Sequence, residues 1–206
     1  MKKIFLALLV SFFFAIPTNI SADYNTDADS NLIENAAKDG VFLEKITTEE
    51  LIQSLSKINN LSPTLVMKKY NINPLTRELL QHYRVAKAYN YNFTLDGHWG
   101  GSLAHEAYID LEKTTDITSK AVYTIKGVYD CGIMLNSGEA SWEQSTSHIV
   151  SWNSKQVEYY SSGNLNLTVS YSIGATVAGV VSSSVGSNYY YRLPKYYTST
   201  INVSNR

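Results

Sequence analysis

Asn164-Leu165-Asn166-Leu167-Thr168-Val169-Ser170-Tyr171-Ser172-Ile173 alternates apolar with small polar side chains at every step. A strand turns successive side chains to opposite faces, so this period predicts one apolar and one polar face. The phase carries on through Ala175, Val177, Gly179 and Val181, and the expected strand covers residues 165–181. The same grammar recurs upstream. Tyr89, Tyr91, Phe93 and Leu95 interleave with Asn90, Asn92 and Thr94. After Asp96-Gly97-His98-Trp99-Gly100-Gly101 the alternation resumes at Leu103, Ala107, Ile109 and Leu111, which predicts a hairpin with a six-residue loop. Further strands are expected over 121–129, 140–152, 189–193 and 197–203. The turns between them are Asn136-Ser137-Gly138, Asn153-Ser154-Lys155 and Ser161-Ser162-Gly163-Asn164. Many strands joined by short polar turns predict an antiparallel β-sandwich or barrel-like domain over residues 89–206.

Residues 23–88 follow another pattern, and the fold class expected for the whole is α+β, a short N-terminal helical region before the β domain. Thr47-Thr48-Glu49-Glu50 fits a capping box, and Leu51, Ile52, Leu55 and Ile58 follow at helical spacing. Ser62-Pro63 and Asn73-Pro74 each put a capping side chain before a proline suited to a first helical turn. The second of these predicts a helix with the stripe Leu75, Leu79, Leu80 and Tyr83. A weaker helix is expected over 30–38, stopped by Gly40. These apolar stripes need a surface to bury, so the region is expected to cap the sheet.

Residues 1–22 have the form of a secretory signal peptide. Lys2 and Lys3 precede an uncharged, mostly apolar stretch over 4–16, and Ala22 supplies a small residue for cleavage before Asp23. That stretch is shorter than the roughly 20 residues a membrane-spanning helix needs. Cleavage would remove two lysines and no acid, so the formal charge moves from −1 to −3. The product is expected to be secreted. Lys+Arg 17 against Asp+Glu 18 leaves no electrostatic footprint for nucleic acid, which is not an expected partner. A single Cys excludes a disulfide framework and a Cys-based zinc site.

Catalytic signatures are sparse. His98 with His105-Glu106 offers nitrogen and oxygen donors across the expected hairpin, but the spacing matches no compact zinc motif. His105 falls on the apolar phase of its strand, where a hydrogen-bonded core histidine is the commoner occupant. Cys131, with His148 or His105 as base, is a formal nucleophile candidate, yet it follows a strand-like run that offers nothing to lower its pKa. Asp110, Glu112, Asp116, Glu139 and Glu143 are too scattered to mark a glycosidase pair. No catalytic residue, metal ligand or cofactor is therefore assigned, and an enzyme is not expected.

Aromatic residues are the richer signal. The chain has 16 tyrosines, several of them consecutive: Tyr159-Tyr160, Tyr189-Tyr190-Tyr191 and Tyr196-Tyr197. In a strand one ring of each pair faces outward, and Tyr combines a flat apolar face with a hydroxyl. Tyr160, Tyr190, Tyr197, Trp99 and Trp152 are the candidate binding residues, for a cell-wall polymer or an extracellular protein. Residues 159–191 carry no charge at all, and the alternating part over 164–185 resembles the Ser/Thr-rich hairpins of secreted pore formers of the aerolysin type. That resemblance implies membrane insertion as the alternative to an ordinary sheet strand. A secreted hydrolase working through Cys131 or the His98, His105 and Glu106 group is the remaining alternative.

Overall fold

The computed structural model of the chain describes residues 26–73, 80–95, 97–118, 120–170, 183–185 and 188–203. The elements run α1 (Thr26–Lys38), β1 (Val41–Ile46), α2 (Thr48–Asn59), α3 (Pro63–Tyr70), β2 (Gln81–Leu95), β3 (Gly97–Thr115) and β4 (Ala121–Leu135). They continue with β5 (Ser141–Trp152), β6 (Gln156–Ser170), β7 (Ser183–Val185) and β8 (Asn188–Asn202). Among the described residues the chain is mostly β, with three short helices at its N-terminal side. The strands form two antiparallel sheets, β1-β2-β3-β4 (sheet 1) and β5-β6-β8-β7 (sheet 2), and neither closes on itself among the described residues.

Local chemistry accounts for the helices. Thr47 caps α2 with the full reciprocal box, its hydroxyl accepting from the Glu50 amide while Glu50 accepts from the Thr47 amide at 2.8 Å. Ser62 caps α3 and Pro63 takes its first turn. Both helices stop on an asparagine in the left-handed region, Asn60 and Asn71. Gly40, at φ +71°, turns the chain out of α1.

Three departures from the sequence pattern have physical causes. First, residues 41–46 form a strand inside the expected helical region. Val41 and Leu43 are buried, and β1 pairs with β2 from Val41↔Lys87 to Ile46↔His82. Six residues are too few for periodicity to announce them, and only the partner strand makes them β. Second, no helix holds Tyr83: β2 begins at Gln81, and Tyr83 is wholly buried on a strand flanked by β1 and β3. The rest of that expected helix, 74–79, lies outside the described residues. Third, residues 97–101 of the expected six-residue loop are strand, because β2 and β3 stay in register to Leu95↔Gly97, while Asp96 lies outside the described residues. Gly101 permits this: a Cβ there would sit 2.5 Å from the Tyr91 hydroxyl.

Sheet 2 departs similarly. β6 runs straight through Ser161-Ser162-Gly163-Asn164, which is strand rather than turn. It accounts for the first part of the expected strand over 165–181, while 171–181 lie outside the described residues. β8 joins two expected strands across Pro194. β7 pairs only with Asn188 to Tyr190, so at Pro194 one side of β8 is an edge, where a missing amide donor is tolerated.

The core draws on both sheets. One cluster joins Tyr83, Val85, Ile109 and Leu111 of sheet 1 to Val157, Tyr159 and Ile201 of sheet 2. A second joins Tyr91, Phe93, Leu103 and Ile133 to Leu165, Leu167 and Tyr191. The outer face of sheet 1 receives α2 and α3, with Leu51, Ile52, Leu55 and Val66 packed on Tyr108, whereas α1 joins the first inner cluster through Leu32. Along the β4–β5 border side chains bond to backbone: the Ile133 amide donates to Gln144 at 3.4 Å, and the Ser147 hydroxyl donates to the Cys131 carbonyl.

Gly163 fixes how closely β5 and β6 approach. A Cβ there would stand 2.6 Å from the Trp142 ring and against the Glu143 carbonyl, which is backbone and has little freedom to yield. Gly163→Ala is expected to destabilise the protein by about 1–3 kcal/mol through overpacking. Thr47→Ala should cost about 1 kcal/mol through loss of the cap. Urea unfolding followed by Trp fluorescence measures both, with the larger fall in midpoint for Gly163→Ala.

Candidate binding face and the polar layer beneath it

The two outer faces differ. That of sheet 1 carries charged groups paired beneath helices. His82 Nδ1 meets Asp110 Oδ1 at 2.6 Å, and the Tyr129 hydroxyl donates to the other Asp110 oxygen at 2.7 Å. Arg84 bridges Glu44 at 2.5 Å and Glu106 at 3.5 Å, and Tyr108 donates to Glu106 at 2.7 Å. Burial pushes the Glu106 carboxyl up, while the Tyr108 hydroxyl and Arg84 pull it down. These groups answer one another, as buried ionisable groups must.

The outer face of sheet 2 is open to solvent and nearly free of large aliphatic side chains. Register sets its rows: His148↔Tyr160↔Thr198, Thr146↔Ser162↔Tyr196, Glu143↔Asn164↔Pro194, Ser141↔Asn166↔Arg192 and Thr168↔Tyr190. Tyr160 and Tyr196 are diagonal neighbours, a separation of about 7–8 Å in an antiparallel pair. The Tyr160 ring also lies 5.3 Å from that of His148. Between Tyr196 and Tyr190 a polar array is already organised. Arg192 donates to Glu143 at 2.9 Å, and Asn166 donates to the same carboxylate at 3.3 Å. The Asn164 amide oxygen accepts from Arg192 at 3.0 and 3.3 Å. Arginine, glutamate and two amides thus present donors and acceptors in fixed positions with no net charge.

Directly beneath lies a buried polar layer between the sheets. His105 of β3 is completely buried, its Nδ1 meeting Ser199 Oγ at 2.8 Å and its Nε2 meeting Ser161 Oγ at 3.0 Å. Tyr159 donates to the His105 carbonyl at 3.0 Å, and its ring lies 4.3 Å from the imidazole. Tyr89 extends the layer, bonding Ser199 at 3.0 Å. Burial drives the His105 pKa from its ordinary 6.5 down to about 3, so the ring is neutral. Cys131 is also buried, 3.2 Å from Ser147 Oγ, and burial is the main cause raising its thiol pKa.

The sequence-derived residues scatter over this frame. Tyr160 and Tyr190 stand on the open face, and Trp152 is exposed at the end of β5. Tyr197 faces inward instead, its ring 4.9 Å from Tyr89 and 6.2 Å from Trp142, while Tyr196 takes the outward position and is 76% exposed. The side chains of Trp99 and His98 lie outside the described residues. His105 and Glu106 are consecutive on one strand and face opposite sides of sheet 1, so they do not converge on one ion. Among the described residues no three His, Cys, Asp or Glu side chains group as metal ligands. His148 is on the outer face and Cys131 on the inner, which separates that candidate pair. The Arg192, Glu143, Asn164 and Asn166 array had no sequence signal beyond lying on the polar phase, because its members come from three strands.

No protein-family model, curated protein or solved structure matches this chain.

The state of Cys131 is directly measurable. A buried thiol with a raised pKa is inert, since the thiolate is the reactive form. At pH 8 the native protein is expected to react with an aromatic disulfide reagent at least about a hundredfold more slowly than the urea-unfolded chain. Comparable rates would show that the β4–β5 border opens freely.

Proposed function

We propose that this is a secreted, non-enzymatic binding protein, built as a two-sheet sandwich. In this reading it holds a neutral, hydroxyl-rich polymer, such as a cell-envelope glycan, on the outer face of sheet 2. One observation carries the reading: Tyr160, Tyr196 and Tyr190 surround the Arg192–Glu143–Asn164–Asn166 array on a single solvent-open face. A sugar ring offers an apolar face to a Tyr ring and a rim of hydroxyls to neighbouring polar groups. Amides, a carboxylate and a guanidinium both donate and accept, which suits hydroxyls better than it suits ions. Their mutual bonds hold them in place before a ligand arrives, and preorganisation lowers the entropy lost on binding.

Retention of the mature chain on insoluble cell-envelope polysaccharides tests the reading. Tyr160→Ala and Tyr196→Ala are each expected to weaken retention by about tenfold, as loss of an aromatic anchor does. Phe42→Ala, on an exposed residue of β1 in sheet 1, should leave it unchanged. Absence of wild-type retention on every polysaccharide would end the glycan assignment.

A second reading, membrane insertion, is favoured by one feature of the register. Ser170↔Asn188 brings together the ends of two paired strands, and the intervening residues 171–187 carry no charge. A membrane barrel needs strands of about 9–11 alternating residues, which the β6–β8 pair would gain by extension. Among the described residues no helix is long and apolar enough to cross a membrane, so strands would be the spanning elements. Dye release from liposomes, abolished in Ile173→Asp, is the expected behaviour on this reading. No release at about micromolar protein, in neutral or acidic buffer, would remove it.

A further inference from the structure

His105 occupies a position unusual for a titratable group. It is the point where three strands from two sheets share polar contacts: β3 supplies the ring, β6 supplies Ser161 and β8 supplies Ser199. Both hydroxyls are themselves buried, so water has no access to the ring. Its aromatic neighbours are Tyr159 of β6 at 4.3 Å and Tyr197 of β8 at 6.2 Å. On the other elements packed here, β4 contributes the Cys131 thiol and β2 contributes Tyr89 together with Lys87, the direct cross-strand partner of His105. Lys195 of β8 also lies on the inward phase, opposite Gly163. The charged groups on the facing sides are therefore both cations, and among the described residues no carboxylate faces the ring. Glu106 is adjacent in sequence but on the opposite side of sheet 1.

We propose that His105 is an acid-sensitive latch that holds β6 and β8 of sheet 2 onto β3 of sheet 1 and lets them loosen when the ring takes up a proton. Neutral imidazole fits the layer, with one nitrogen donating and the other accepting while the serine hydroxyls rotate to match. Imidazolium would place a full charge in a dry layer with no counter-charge, and burial of that kind is costly. Separation of the sheets relieves it by admitting water. Ser161 and Ser199 alternate with Tyr160, Ser162, Thr198 and Thr200 of the open face, so loosening from beneath disturbs that face as well. The latch does not depend on what the face binds.

The sign follows from the depressed value. A histidine held near 3 when folded and at 6.5 when unfolded binds its proton only on opening. Its stabilisation is complete above pH 6.5 and is lost progressively as pH falls toward 3. Each pH unit in that window raises the opening constant by up to about tenfold. Glu106 works in the other direction, because a carboxyl raised by burial favours the folded state in acid. Only a comparison that changes His105 alone isolates the latch.

Urea unfolding of the wild-type chain and of His105→Gln from pH 7.5 to 4.5 makes that comparison. Gln keeps a donor and an acceptor toward Ser161 and Ser199 but does not titrate. The wild-type unfolding constant is expected to rise about tenfold more per pH unit below pH 6 than that of His105→Gln. Parallel pH profiles for the two proteins would overturn the proposal. If His105→Gln does not fold, the wild-type ring decides by itself through its NMR shifts. Protonation that coincides with loss of native signals is expected, and free titration near pH 6.5 in an intact fold would overturn the latch.

Discussion

Burial of the inner face of sheet 2 against sheet 1 is the contact on which the rest of the molecule depends. The helices pack on sheet 1, through α1 on β1 and α2 on β2 and β4. Sheet 2 has to bury Val157, Tyr159, Leu165, Leu167, Tyr191 and Ile201, and its apolar cover comes from the strands of sheet 1 together with Leu32 of α1. At roughly 1.5–3 kcal/mol per large side chain, that burial outweighs any single polar contact in the interface. The polar contacts contribute position. His105, Ser161, Ser199 and Tyr159 satisfy one another in one register only, because a slip by one residue would turn every hydroxyl to the other face.

The same division separates the roles of the two outer faces. Sheet 1 buries His82, Asp110 and Glu106 and pairs them, His82 with Asp110 and Glu106 with the half-buried Arg84. Sheet 2 leaves Tyr160, Tyr196, Arg192 and the two asparagines in solvent. A face of hydroxyls, amides and tyrosine rings, whose polar atoms water can satisfy, needs no helix over it, as one side of an antiparallel sheet can remain open. Low charge, which in the composition looks like a deficit, is located on this side of the molecule.

Features written in adjacent residues were legible early. The Thr47–Glu50 box, the Ser62-Pro63 start and the stop at Gly40 each act within one helical turn, and the helices begin and end accordingly. The alternation around Leu165 and Leu167 named their buried faces correctly. Elements that depend on a distant partner were hidden. β1 is a strand because β2 lies beside it, and Tyr83 belongs to a strand because β1 and β3 complete its backbone hydrogen bonds. Ser161-Ser162-Gly163-Asn164 has turn composition, yet its serine is needed at His105 and its glycine at Trp142, both far away in sequence.

The caps of α2 and α3, the alternating phase around Tyr91–Phe93, Leu103–Leu111 and Leu165–Leu167, and the absence of charge over residues 159–191 can be read from the chain alone. Those properties rest on interactions within about four residues, where chain geometry leaves few choices. Which of Tyr196 and Tyr197 faces out, which strands border each other and which hydroxyls meet His105 emerge only in the assembled sheets. Each of these depends on register between strands, and register is set by whole faces packing together. The open face of sheet 2 is such a product: its array of Arg192, Glu143, Asn164 and Asn166 exists only once β5, β6 and β8 lie side by side.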